Sequence, residues 1–417
     1  MTTPAPAAGD CADRSLDFDL RSFRPRSVMS VRYAGLHSAD CDAHYGRREE
    51  GQLHQRAEVT LTGSSERELT SRHLGNSQVR VTSLGIGTVP MCGWLDAVGY
   101  PQFEDVIVAA FEGGVRYFDC APAYGLGKME HYLGHLLRTR EIRSQVTIST
   151  KAGRVLHPMT RSGGRALTEI PDNQIPYIDP LPFFGVYDYT FDGIMRSFED
   201  SQQRLGIDHV EILHVHEIGR LAHGEKNALY WSQLRNGGFR ALDELRSGGA
   251  VGAIGIGVNE TAAVLEMSQE FRLDCCLIAG PYTLLNHEPL HDFLPECMKR
   301  NISVIGAGVF NSGILAGGTN GSLRLFDYQD APLEIVERVR RIEAVCEEFH
   351  IPLATAAVQF VFGHPAVACV LLGARNTAEI EQNLSAMAAH VPGSFWDALR
   401  ERGLIPADAP LGGTVRV

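Results

Sequence analysis

A chain of 417 residues, 44% hydrophobic and 21% charged, is long enough for one large domain or two ordinary ones and has the composition of a globular protein in water. No apolar run approaches the roughly 20 residues that cross a bilayer, and a formal net charge of −12 opposes binding to nucleic-acid phosphates or anionic lipid. The expected partner is a small molecule; homo-oligomerisation stays open.

The N-terminal MTTPAPAAGDCADRSLDFDL has neither a basic n-region nor an apolar h-region, and its early Asp10, Asp13, Asp17 and Asp19 argue against a transit peptide. Nine cysteines without CxxC spacing make no disulfide framework, and the adjacent Cys275 and Cys276 sit in an apolar run that reads as core. The expected compartment is a reducing cytoplasm. Residues 1–73 are polar and carry neither helical nor strand periodicity, so a poorly ordered extension is expected there, followed by a folded domain over 74–417.

In that domain short apolar runs alternate with longer amphipathic segments. The segment HLGNSQVRVT, with its Gly-Asn turn, predicts a small hairpin ahead of the first strand. Eight strands follow: SLGIGT (83–88), VRYF (115–118), QVTIST (145–150), HVEILHV (209–215), AVGAIGIG (250–257), CCLIA (275–279), ISVIGA (302–307) and VACVLL (367–372). Helical stripes lie between them, such as Met129, Leu133, Leu136 and Leu137, or Ile335, Val339, Ile342, Val345 and Cys346. Eight βα units in this length predict an α/β fold, a (β/α)8 TIM barrel with the hairpin capping its bottom, a doubly wound sheet being the alternative. Segments 152–192, 217–236 and 308–332 read as long loops at the face where such barrels carry their chemistry.

Four titratable groups end apolar strands or follow them closely: Asp119, Tyr124, Lys151 and His216. Singly, each has a plain structural reading as a cap, a rim residue or a solvated end. Together they come from three consecutive strands and can converge on one face. A phenol is a poor acid or base near neutrality, but an adjacent ammonium favours its phenolate. Lys151 is placed to supply that charge, with Asp119 holding it, while His216 orients a substrate oxygen.

The segments VRYFDCAPAYGLGKMEHYLG, STKAG and VEILHVH resemble the Asp, Tyr, Lys and His segments of the aldo-keto reductases. DPLPFFGVYDYTFDGIMRSFEDSQQRLGID, GAIGIGVNE, AGPYTLLNH, GVFNSGILAGG and FWDALRERGLIPADAP resemble its sugar-oxidising branch, the D-threo-aldose 1-dehydrogenases and L-fucose dehydrogenases. The resemblance spans about 75–410 and implies a metal-free hydride transfer between NAD or NADP and a sugar hemiacetal or carbonyl compound, giving an aldonolactone in the oxidative direction. It implies Asp119, Tyr124, Lys151 and His216 as catalytic residues and Asn259 as a nicotinamide contact. The loop with Gly308, Phe310, Ser312, Gly313 and Leu315 would take the diphosphate, and Arg375, Glu379 and Asn383 the adenosine end. Glu379 stands where NADP-preferring members commonly carry Arg, which argues for NAD. Ala279 and Pro281 replace the family's more usual Gln and Arg.

Other readings compete with these. His214 and His216 point the same way along one strand and could bind metal, but no later strand end supplies the remaining ligands, so His214 is expected at the rim or pocket. The glycines of LGIGT and GAIGIGVN do not open a helix with dinucleotide-fingerprint spacing and read as close-packed strands. Tailoring of a non-sugar metabolite, and a cofactor-binding redox sensor without turnover, complete the alternatives.

Overall fold

Eight parallel strands pair edge to edge until the last meets the first, which excludes the open, doubly wound alternative. They are β1 (Leu84–Gly87), β2 (Tyr117–Asp119), β3 (Thr147–Ala152), β4 (Val210–His216), β5 (Val251–Val258), β6 (Cys275–Ala279), β7 (Ser303–Ala307) and β8 (Val367–Gly373). Closure runs in parallel register from Val370 opposite Leu84 to Gly373 opposite Gly87. The computed structural model describes residues 69–94, 96–160, 177–321, 324–327 and 329–411. Most of the expected N-terminal extension therefore lies outside the described residues.

Helices α1 (Tyr100–Glu112), α2 (Lys128–Thr139), α3 (Phe191–Leu205), α4 (Phe239–Ser247), α5 (Thr261–Glu270), α6 (Phe293–Lys299), α7 (Leu333–Phe349), α8 (Leu353–Phe362), α9 (Thr377–Ala388) and α10 (Gly393–Glu401) accompany the strands. The stripe read from Met129, Leu133, Leu136 and Leu137 is buried along α2. That from Val339, Ile342, Val345 and Cys346 is buried along α7, with Ile335 only partly covered. These faces join the larger apolar core between helices and barrel. No helix of the described residues is long and apolar enough to cross a membrane, and the seven described cysteines are buried free thiols.

A second, smaller cluster fills the barrel itself. Tyr117, Ile212, Ala253, Cys275, Ile305 and Cys369 meet there, and Leu74, Val79 and Val81 rise into it from below. Those three belong to the expected hairpin, whose strands Ser71–His73 and Arg80–Thr82 are antiparallel. Its first strand starts inside the segment expected to be poorly ordered. Arg72 donates to the Val367 carbonyl at 2.7 Å and the Gly75 amide to Ser303 Oγ at 2.9 Å, tying the hairpin to the starts of β8 and β7.

All three expected loops carry structure of their own, the 308–332 segment in a short helix, Ile314–Gly317, and a small antiparallel pair, Leu325–Phe326 with Gln329–Asp330. The 152–192 segment forms an antiparallel hairpin, Arg154–Pro158 with Phe183–Tyr187, around residues 161–176, which lie outside the described set. The 217–236 segment is largely helical: Asn227–Gln233 runs through a π-turn at Leu234–Gly238 directly into α4. Gly237 and Gly238 lie within that helical run, and a Cβ on Gly238 would come within 2.4 Å of the Tyr189 carbonyl, so glycine there permits close packing inside a continuous helix.

Glycines in β1 and β5 make room for interior side chains in the same way. A Cβ on Gly85 would lie 2.5 Å from the Tyr117 ring, and one on Gly255 would lie 2.5 Å from His214 Nδ1 and 2.7 Å from Cys275 Sγ. Gly255→Ala is expected to cost about 1–3 kcal/mol through overpacking. The check is urea denaturation, which should show a lower midpoint at unchanged slope; wild-type stability would mean that the interior yields without strain.

Candidate active site

Inward side chains alternate along each strand, so the layer above the apolar cluster is set by the strand ends. On β2, β3 and β4 that layer is polar: Asp119, Lys151 and His216. On β5 and β6 it is small or apolar, with Gly257 and Ala279. The C-terminal mouth thus has one polar side.

Asp119 and Lys151 are each 1% exposed. Lys151 Nζ donates to Asp119 Oδ2 at 2.6 Å, to Oδ1 at 2.8 Å and to the Cys120 carbonyl at 2.8 Å, so all three of its protons are taken. Ser149 Oγ donates to Asp119 Oδ1 at 2.6 Å and lies 3.0 Å from the Tyr117 hydroxyl, carrying the network down to the apolar layer.

Tyr124 stands above this pair on a tight turn, Tyr124–Gly127, that opens α2. Gly125, Leu126 and Gly127 there have φ of 60°, 55° and 97°, a left-handed run in which two of three residues are glycine. The Tyr124 ring centroid is 4.7 Å from Lys151 Nζ and 6.1 Å from the His216 ring, which meets it edge-on at 86°. Among the described residues none accepts a hydrogen bond from the Tyr124 hydroxyl. Burial, and then the Asp119 carboxylate, push this phenol well above its usual range. The expected lowering by Lys151 is therefore not found, because Asp119 neutralises the ammonium and its donors point elsewhere.

Burial pushes His216 down to about 3, leaving a neutral ring whose Nδ1 is buried without a partner. An unpaired buried lone pair is easier to tolerate than an unpaired N–H, so the proton belongs on Nε2, the nitrogen free to serve the mouth. His214, expected at the rim or pocket, lies deeper than either. It is fully buried in the barrel, both ring nitrogens unpartnered, in the space that Gly255 leaves. Burial and then Lys151 hold it well below the usual imidazole range. Among the described residues no group of three His, Cys, Asp or Glu side chains could hold a metal.

Two clefts lead away from the mouth and share Gly308 and Ser312. One, of about 730 Å³, includes Asn259, Ala279 and Pro281; Asn259 Nδ2 donates to the Ala279 carbonyl at 2.8 Å. The other, of about 360 Å³, includes Phe310, Gly313, Arg375, Glu379 and Asn383. Between them Asn311, Ser312 and Gly313 have φ of 46°, 62° and 128°, turning the backbone of this loop into the kind of concavity that cradles anionic groups. Eight of the nine expected cofactor residues line this groove. Leu315 does not; it is fully buried and packs in the core. The groove's mixed lining and the left-handed loop at its middle fit an extended dinucleotide.

The sequence profile of the Aldo/keto reductase family matches residues 83–402. The chain belongs to the aldo/keto reductase family. It is 43% identical over 338 residues to a pyridoxal 4-dehydrogenase of Microbacterium luteolum, covering 80% of this chain and 97% of that one. It is 35% identical over 326 residues to a D-threo-aldose 1-dehydrogenase of a Pseudomonas species, covering 78% and 95%. Among solved structures, the fold matches a glycerol dehydrogenase of Gluconobacter oxydans with a TM-score of 0.62 at 19% identity, over 85% of this chain and 99% of that one. This aldo/keto reductase is accordingly an NAD(P)-dependent oxidoreductase.

Further polar residues of the reductase lie beside the site and were not singled out in the sequence. Glu217 directly follows His216, with φ of 53°, and accepts from the Tyr187 hydroxyl at 2.6 Å. Arg154, three residues after Lys151, lies 3.5 Å from the same carboxylate and 4.5 Å from the Tyr187 ring centroid. Glu217 is lowered to about 2, burial being outweighed by His216 and Arg154. Tyr189 donates to the His216 carbonyl at 2.6 Å and so fixes the end of β4. Adjacency to a strand-end His or Lys was the available signal.

Burial also holds His223, His287 and His364 down to about 4 each. Each of these histidines, like His216, has a folded value below its unfolded value near 6.5. Their contribution is thus complete above pH 6.5 and is lost as pH falls toward 4, because the unfolded chain takes up protons that the folded one refuses. The melting temperature is expected to drop steadily between pH 6.5 and 4.5, before most carboxylates titrate. Calorimetry across that window tests this, and a flat profile would contradict it.

Proposed function

We propose that this reductase is an NAD-dependent dehydrogenase that oxidises the hemiacetal carbon of a cyclic substrate, an aldose or a similar lactol, to a lactone. The observation that carries the reading is Tyr124: a hydroxyl with no acceptor among the described residues, set above a neutralised Lys151–Asp119 pair and edge-on to a neutral His216. Such a phenol is placed to exchange one proton with a substrate oxygen while His216 Nε2–H orients that oxygen. NAD, bound along the groove, supplies the hydride acceptor. Asn259 and the 308–313 loop would hold its nicotinamide and diphosphate ends, with Asn383 at the adenosine end. Both named relatives support the substrate class, since aldoses and pyridoxal each close on themselves to a cyclic hemiacetal.

The raised Tyr124 keeps its proton in the resting protein, which suits protonation of a carbonyl oxygen as it is reduced; for oxidation it first gives that proton to solvent, and the phenolate then takes the substrate hydroxyl proton as hydride leaves. One residue serves both directions. Tyr124→Phe is expected to lower turnover by about 10²–10⁴-fold while calorimetric NAD affinity stays near wild type; near-normal turnover would sink the assignment.

The choice of NAD rests on charge at the adenosine end. Arg375 is held by two carboxylates, Asp96 at 3.0 Å and Glu379 at 3.2 Å, and the Arg375 amide donates to Glu379 as well. One cation against two anions leaves an excess of negative charge where a 2′-phosphate would have to sit. The expected kcat/KM favours NAD over NADP by about tenfold or more, or about 1.4 kcal/mol. Initial rates with the two cofactors decide it, and a preference for NADP would overturn it.

A further inference from the structure

Among the described residues, Arg154 is a charged side chain without the partners that its burial demands. It is 8% exposed, its Nε is buried with no hydrogen-bond partner there, and its one ion-pair partner among them, Glu217, is at 3.5 Å, beyond a good hydrogen bond. Its remaining surroundings are aromatic, with Tyr187 beneath the guanidinium plane. A buried guanidinium has five N–H donors in a fixed fork, and leaving them unmet is costly. The Glu217 carboxylate accepts one short hydrogen bond from Tyr187 and keeps 29% of its side chain exposed, so acceptor capacity remains open.

The position of this pair matters as much as its vacancy. Arg154 begins the hairpin strand that follows Lys151, and Glu217 is the next residue after His216. Glu217 holds φ of 53° without being glycine, a conformation uncommon for such a side chain, with its amide tied to the Gly257 carbonyl at 2.9 Å. Tyr187 stacks on Tyr189 at 6.1 Å and 13°, and His223 packs on Tyr187 edge-on at 4.5 Å, giving a rigid aromatic wall beside the dyad.

We infer that Arg154 and Glu217 form a substrate subsite that binds the ring hydroxyls of a neutral, hydroxylated lactol, Arg154 donating to one oxygen and Glu217 accepting from its neighbour. This rests on the hemiacetal reading above and specifies which part of the substrate is recognised away from the reacting carbon. The charge balance selects the ligand. A carboxylate or phosphate would gain Arg154 but meet Glu217 beside it, whereas neighbouring hydroxyls satisfy both groups at no net charge. Because a hydroxyl is matched here by buried polar groups, analogues lacking it should be rejected strongly.

The experiment compares wild type with Arg154→Met and Glu217→Gln. For aldopentoses and for the bare lactol tetrahydropyran-2-ol, the ratio of the two kcat/KM values is expected to fall by about tenfold or more in each variant, mostly through KM. An unchanged ratio, with both substrates losing equally, would overturn the subsite and mark the pair as structural. Calorimetry with 1,5-anhydroalditols, which keep the ring hydroxyls but cannot be oxidised at that carbon, reads the subsite without chemistry. Their Kd should rise by about tenfold or more in both variants; equal affinity, or no binding to wild type, would overturn it. Failure of wild type to oxidise any lactol would count against the hemiacetal reading, while the anhydroalditol result would still decide the subsite.

Discussion

The Lys151–Asp119 pair is the constraint around which the catalytic end of the barrel is arranged. Two charges removed from water are costly, and their attraction offsets that cost only when geometry is good and the remaining donors and acceptors are met. Here they are met. Three Lys151 protons find Asp119 and the Cys120 carbonyl, and Ser149 caps the carboxylate. Breaking one half would strand the other, at about 3–5 kcal/mol. The pair also accounts for part of the asymmetry of the interior, since β2 and β3 supply its groups while glycine and alanine on the facing strands leave room above it. Tyr124 and His216 are then positioned against a charge-neutral floor.

Much of this was readable in the residues. Strand runs are short and apolar with polar ends, so eight strands and the four groups at their tips could be located from pattern alone. The hairpin plug was legible through its Gly-Asn turn. What pattern could not give was balance between competing effects. Lys151 seemed to offer its charge to Tyr124, but only the structure counts where its three protons go. His214 carries the same spacing as His216, and two residues of depth separate a pocket group from a fully enclosed one. The helix through Gly237-Gly238 was hidden because glycine marks both breaks and close approaches, and only the neighbouring Tyr189 backbone tells which.

Two ion pairs near the site carry different balances. At Arg375 one guanidinium faces two carboxylates and the excess is negative. At Arg154, beside the strand-end residues, one guanidinium faces one carboxylate, and there is no excess. On the readings proposed above, the first arrangement would discriminate against a 2′-phosphate and the second would leave directional donors and acceptors for neutral oxygens. Similar residue types would then serve two kinds of selection, and the distinction lies in counting partners around each arginine.

The hairpin beneath the barrel has a consequence for proton traffic. Leu74, Val79 and Val81 close the lower end with hydrocarbon, and His214, the only imidazole enclosed below the mouth among the described residues, is held neutral without a partner to pass a proton along. The proton that leaves the substrate in the proposed oxidation has no downward route. It departs through the same opening that admits the substrate, so the protein can discharge it to solvent only when that opening is wet, which links deprotonation of the site to the clearing of product from the mouth.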